Sequence, residues 1–367
     1  MIARSKPNVD YNFLWECICG KGQQIDNTIS NSFFFNSGAS SLLFFLNLFG
    51  TKKRVGLQVF TCSTVLDVIQ MAEDRVVLMD IDKDYFTTTY DIVEKHIDSI
   101  DILILSHLFG IPNPDYLRIK QLCQLRGVVL IDDLCQTFHA KIGGYFLEDL
   151  SDNYFYSFFY DKPISATSGG MLKLSDDLYT KAFDVYNALE KESDSRGKLL
   201  LRKLFWMSYL LEPQYYKYDF RNNSLWNEYY PLSCPLLLLR ALLYSIVGRV
   251  FCKLHLVVKH EYKIKRMSDL QKQYVLHMID RFNNNNKNLI AYCRKNHLHL
   301  PLYMCNSLIE CSLAKRGILH DGPTINKENV EVALYNWPYL IDSDNNYPIA
   351  DSVIKEYVNI PIWSDEF

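Results

Sequence analysis

The sequence predicts an α/β protein built on a doubly wound, mostly parallel sheet, and three observations carry that prediction. Short apolar runs recur at residues 55–60, 76–79, 101–106 and 127–133. Helical patterns separate them, with Val65, Ile69 and Ala72 on one face of the first and residues 116–126 forming a later one, the alternation expected of βαβ units. The runs at 101–106 and 127–133 are almost uniformly apolar, as in strands covered on both faces. The second of them ends in two carboxylates, Asp132 and Asp133, at the edge where open α/β sheets gather ligands.

A chain of 367 residues, 49% of them apolar, can bury a large core and divide into two lobes. Its net charge of -3, with no long basic stripe, argues against a nucleic-acid binder. Phosphate recognition must then be local. Ten cysteines carry no CxxC pair and no repeated spacing with histidine, so neither a metal site nor a disulfide framework is expected. Reduced thiols of that kind suit a cytoplasmic protein. Arg4, Lys6, Asp10 and Glu16 interrupt the first twenty residues, so no secretory signal is expected there.

Taken in order, the aromatic run at 33–35 passes through Asn36, Ser37, Gly38, Ala39 and Ser40 into an apolar helical pattern. This is a helix amino terminus, where free N–H groups and the helix dipole favour an anion, although an ordinary Ser-Gly helix start reads equally well. His107 closes the strand at 101–106, either lining a pocket or serving as a satisfied structural histidine. Lys162 stands between Asp161 and Pro163, which keeps the backbone extended or turned. Taken alone it reads as a surface lysine; desolvated in a pocket, such an amine would shed its proton more readily and attack carbonyl compounds.

Beyond Gly170 the alternation stops. Residues 199–258 are rich in leucine, tyrosine and arginine, and Arg240, Arg249 and Lys253 keep every apolar run below the roughly 18–20 residues of a membrane span. Paired helices packed on the body or on a partner are favoured over a membrane-surface hairpin. Residues 268–282 read as a long helix capped by Ser268, with Leu270, Tyr274, Met278 and Phe282 on one face. Residues 347–363 read as a helix followed by an extended segment.

The block Asp132-Asp133-Leu134-Cys135-Gln136, then Ser157 with Lys162 five positions later, then the pair Gly169-Gly170, resembles the DegT/StrS-type nucleotide-sugar aminotransferases. The resemblance implies a fold-type I transferase dependent on pyridoxal 5'-phosphate (PLP). Residues 1–190 would form a large domain of mostly parallel sheet flanked by helices, 191–261 a helical apolar insert, and 262–367 a long helix with a smaller C-terminal α+β domain. Lys162 would hold the cofactor as a Schiff base and Asp133 would meet its pyridine nitrogen. Gln136 would orient the ring, Ser157 and the turn Gly38, Ala39, Ser40 would take the phosphate, and Cys62 stands where an aromatic stacks on the ring.

Three departures accompany the match. Ala39 replaces a usual hydroxyl, Cys62 is thinner than the aromatic, and Ile264 replaces an asparagine that crosses the dimer to the neighbouring phosphate. The implied activity moves an amino group from glutamate to a nucleotide-linked keto sugar, for polysaccharide, O-antigen or related amino-sugar biosynthesis. The implied assembly is a homodimer in which the segment around 263–267 serves the neighbour's site. The alternative is a cofactor-poor relative acting as a binding or scaffolding subunit. A dehydratase is disfavoured, because relatives that eliminate water carry histidine where Lys162 stands.

Overall fold

The computed structural model describes residues 5–20, 29–211, 263–321, 341–342 and 347–363. Its centre is a seven-stranded sheet in the order β1-β9-β8-β5-β4-β2-β3. The strands are β1 (Ser32–Phe35), β2 (Arg54–Gln58), β3 (Arg75–Met79), β4 (Ile102–Ser106), β5 (Val129–Asp133), β8 (Tyr154–Ser157) and β9 (Gly170–Lys173). Two short strands, β6 (Lys141–Ile142) and β7 (Tyr145–Phe146), form a separate hairpin between β5 and β8. Four of the six pairings are parallel, from β3 through β2, β4 and β5 to β8. The last two, β8 with β9 and β9 with β1, are antiparallel.

The apolar runs are explained by two layers of side chains. Strand residues alternate between faces, so on β4 Ile102 and Ile104 enter one core while Leu103 and Leu105 enter the other. All five residues of β4 are buried. Helices α2 (Gly38–Asn47) and α3 (Ser63–Met71) contribute to the first core. Helix α5 (Tyr116–Arg126) contributes to the second, with α1 (Tyr11–Cys19) and α4 (Tyr90–His96). Helix α5 ends where expected because Gly127, at φ 67°, takes the left-handed cap conformation without a Cβ penalty.

Past β9 the chain forms the helices Asp176–Asn187 and Asp194–Leu210. The second covers the start of the expected apolar insert; the remainder, 212–262, lies outside the described residues. No described helix is long and apolar enough to cross a membrane. Ser268 caps the helix Asp269–Asp280, accepting from Gln271 N at 3.3 Å. That helix stops two residues short of the expected end, and Phe282 instead packs edge-on against Phe138 with ring centroids 4.9 Å apart. Helix Pro348–Glu356 leads into Tyr357–Pro361, which pairs antiparallel with Arg316–His320.

The segment around 263–267 lies along the edge strand β1 of its own chain: Asn36 N donates to Lys265 O and Asn36 Nδ2 to Lys263 O, both at 3.0 Å, and Met267 N donates to Phe34 O at 3.0 Å. Ile264, partly buried, packs against the core to which α2 and α3 contribute. The main-chain groups of an open sheet edge account for this, since pairing satisfies them.

Candidate active site

A cavity of about 520 Å³ opens at the carboxyl ends of β5 and β8, the size range of small-molecule sites. Of the residues singled out in the sequence, Gly38, Ala39, Cys62, Asp133, Gln136, Ser157 and Lys162 all line it. Ser40 does not. Its side chain turns back on Ser37, with the two hydroxyls 2.8 Å apart, and its N–H donates to Ser37 Oγ at 3.0 Å. The helix cap facing the cavity is therefore Ser37, which the sequence reading passed over although serine before the first helical residue is a preferred cap.

Glycines bring the amino end of α2 onto the strand ends. A Cβ on Gly38 would stand 2.6 Å from Ser157 Cβ, and one on Gly170 would stand 2.5 Å from both Ser37 O and Ser41 Oγ. The N–H groups at the start of α2 thus share a wall with the Ser157 hydroxyl, an arrangement suited to a phosphate.

Adjacent carboxylates at the end of β5 face opposite ways. Asp133 faces the cavity, and its Oδ1 accepts from Cys135 N at 3.0 Å. Asp132 enters the other layer, where Tyr116 donates to Oδ2 at 2.9 Å, Ser151 donates to the same oxygen, and His107 Nε2 lies 3.3 Å from Oδ1. Since His107 Nδ1 accepts from Asn113 N at 3.1 Å, Nε2 is the protonated nitrogen and donates to Asp132. His107, which takes no part in the cavity wall, is the satisfied structural histidine. Gln136 Oε1 accepts from Phe109 N at 3.3 Å, leaving the side-chain NH₂ as the group to offer a ligand.

Lys162 sits in the connection between β8 and β9 and is 7% exposed. Phe158 N donates to Gly169 O at 2.9 Å across the neck of this loop, and Ala166 N donates to Phe158 O at 2.8 Å. Ser165 Oγ lies 2.9 Å from both the Tyr160 and Lys162 carbonyls. The amine is thus carried on a hydrogen-bonded support. Burial draws its proton affinity down, but the Asp161 carboxylate beside it, with smaller contributions from other groups of the cavity wall, outweighs burial and lifts it above the ordinary lysine value. Burial and the neighbouring Asp133 push the Cys135 thiol well up, so at neutral pH the carboxylates are the operative charges.

Two further groups had no local signal in the sequence. Arg316 Nη2 pairs with Asp161 Oδ2 at 3.2 Å across a separation of 155 residues, with both side chains buried. Lys315, 5% exposed, donates to Lys6 O at 2.5 Å.

Comparison with known proteins follows this geometry. Residues 29–199, which carry the sheet and every cavity residue named above, match the DegT/DnrJ/EryC1/StrS aminotransferase family. A Streptococcus pneumoniae protein assigned as a sugar aminotransferase, in its PLP form, superposes with TM-score 0.65 at 15% identity, covering 99% of this chain and 94% of that one. A sugar aminotransferase from Micromonospora echinospora gives 0.64 at 14%, covering 99% and 95%. An Escherichia coli GDP-4-keto-6-deoxy-D-mannose-3-dehydratase with bound hydrated PLP gives 0.61 at 13%, covering 98% and 94%. No curated protein sequence matches. The fold is thus that of the fold-type I transferases. The family model and the solved structures agree on this fold, at identities of 13–15% for the three named.

Proposed function

We propose that the protein is a PLP-dependent sugar aminotransferase that passes an amino group from glutamate to a nucleotide-linked keto sugar. The observation that carries this reading is that the Lys162 and Asp133 side chains line one cavity together with the amino end of α2. These groups fit PLP by the chemistry of the donor set: an amine, a carboxylate, and a cradle of N–H and hydroxyl groups closed by glycines. PLP, when bound, supplies a carbonyl for amine exchange and a ring that accepts electrons.

The chain's own residues divide the work. Lys162 Nζ, once displaced by the donor, carries the proton away from the donor's α-carbon and later returns it to the product. Asp133 holds a proton on the ring nitrogen. The Gln136 NH₂ orients the ring through its phenolic oxygen. Ser37, Ser157 and the first N–H groups of α2 hold the phosphate, without a hydroxyl from Ala39. Cys62, on the cavity wall, would lie against the ring in place of an aromatic.

Lysine at position 162, rather than the histidine of the dehydratases, favours transfer over elimination. The assembly proposed is a cytoplasmic homodimer, and the service is polysaccharide, O-antigen or related amino-sugar biosynthesis. Sedimentation of a stable monomer that turns over would remove the dimer from this reading. Ala39 and Cys62 at the cavity wall favour the competing reading of a cofactor-poor scaffold.

One experiment separates the two. Added PLP should give a visible absorption band, and borohydride should fix the cofactor on Lys162; a folded protein that shows no adduct at saturating PLP is the scaffold. A mass-detected screen of nucleotide-linked keto sugars with glutamate then identifies the acceptor.

A further inference from the structure

The loop that carries Lys162 returns to the sheet through Ala166, Thr167, Ser168 and Gly169, and three other parts of the chain hold that limb. Gln271, buried on the helix Asp269–Asp280, reaches it twice: Nε2 donates to Ala166 O at 3.1 Å and to Ser168 O at 2.6 Å. Thr167 Oγ1 donates to Leu200 O at 2.9 Å, on the helix Asp194–Leu210. Ser168 Oγ donates to Asn36 O at 2.6 Å. The two helices stand in direct contact, since a Cβ on Gly197 would overlap the Ser268 hydroxyl that caps Asp269–Asp280.

Thr167, between the two carbonyls that Gln271 holds, sits at φ 68° and is 4% exposed. A β-branched residue enters the left-handed region only against strain, and such strain persists where the surroundings over-determine it, most often at active sites. Gln271 carries a second sign of the same kind. Its Oε1 is buried with no hydrogen-bond partner among the described residues, a cost that an apolar side chain of similar length would avoid. Filling space is therefore not what this amide is for. Its orientation is fixed as well, because turning it would set Oε1 against two carbonyl oxygens.

The limb is tied in turn to the support of the amine. Ala166 N donates to Phe158 O, and the Ser165 hydroxyl lies between the Tyr160 and Lys162 carbonyls. Gln271 and Thr167 themselves stand behind the cavity wall, which Ser168, Gly169 and Lys162 line. We propose that Gln271 is a positioning residue: by holding the carbonyls on either side of Thr167 it fixes where the Lys162 amine stands, without touching cofactor or substrate. The proposal rests on the aminotransferase reading and adds to it the group that aims the lysine.

The test titrates the full chain with PLP and, separately, with pyridoxamine 5'-phosphate, which keeps the ring and the phosphate but lacks the aldehyde that bonds to an amine. The ratio of the two affinities isolates what Lys162 contributes. Gln271→Met, similar in length and without donors, should weaken PLP tenfold or more and slow the growth of the visible band, because a reacting group misplaced by about 1 Å loses on the order of 10²-fold in rate. Its affinity for pyridoxamine 5'-phosphate should stay near that of the unaltered protein. Thr167→Gly, which takes the left-handed conformation without strain but loses the tie to Leu200, should show the same selective loss in smaller measure, and it decides the matter if Gln271→Met fails to fold. Equal losses for the two ligands, or no loss for PLP, in the folded variant overturn the positioning role alone. An unaltered protein that shows no visible band at saturating PLP overturns the aminotransferase reading itself.

Discussion

Asp132 and Asp133 are neighbours in sequence, both buried at the same strand end, yet they sit in opposite kinds of surroundings. Asp132 has three side-chain donors on the α5 side of the sheet. Asp133 has the Cys135 N–H on one oxygen and the cavity in front of it. A carboxylate whose lone pairs are taken up by Tyr116, Ser151 and His107 stabilises the fold and is closed to ligands. One left facing a cavity is open to a ligand. The alternation of a β-strand is enough to produce both from a repeated residue type.

Breaking the Asp133 side should give the largest effect. Asp133→Asn should keep the cofactor bound to Lys162 yet lower the transfer rate on the order of 10²-fold or more, with the urea midpoint little changed. Steady-state rates and denaturation curves on the same preparation check this; an Asp133→Asn protein that unfolds early would erase the contrast. On the other side, Asp132→Ala strands three buried donors and should lower stability by about 3–5 kcal/mol, read from the shift in urea midpoint. Any loss of rate should then follow the loss of folded protein.

Lys315 offers a buried charge of a third kind, met by a carbonyl and a shared carboxylate. Its proton is released near pH 7 in the folded chain, against 10.5 for an ordinary lysine. Between those values the unfolded chain binds more protons, so this group makes stability rise with pH, by up to about 1.4 kcal/mol per pH unit. The difference in stability between the unaltered protein and Lys315→Met should therefore slope upward from pH 7 to 9.5; equal slopes would show that Lys315 is already paired as an ordinary ammonium. The smallest effect is expected at Ser37, where Ser37→Ala should cost about 1 kcal/mol of stability through the lost cap. Because Ser37 also faces the cavity, that variant should weaken PLP retention as well, as read by equilibrium dialysis.

What the sequence made legible was local. Strand β4 and helix α5 could be read because burial on two faces and a Gly127 cap leave marks within a few residues. Asp133 and Lys162 stood out because each lies beside a distinctive neighbour set. Ser37 was missed in favour of Ser40 because two serines three apart look alike until the helix start is fixed. For Lys162 the downward pull of burial could be anticipated, whereas the weight of Asp161 against it needed the folded geometry. Arg316 and Lys315 arrive from more than 150 residues away, and no spacing rule connects them to the lysine loop. The main-chain pairing of the segment around 263–267 with β1 spans some 230 residues and left no local mark in the sequence.

The neck of the lysine loop has a bearing on how such a protein can change over generations. Ser157 pairs with Gly170 in the β8–β9 ladder, and Phe158 N reaches Gly169 O, so the loop leaves and re-enters the sheet through one fixed doorway. Inside the doorway the stretch from Pro163 to Thr167 is buried, and Ser165 and Ala166 tie it to the carbonyls of Tyr160, Lys162 and Phe158. Drift there would disturb the support that carries the amine. Divergence would accordingly accumulate sooner at Phe159, which is exposed and lines the cavity, than within the loop or the strands that frame it.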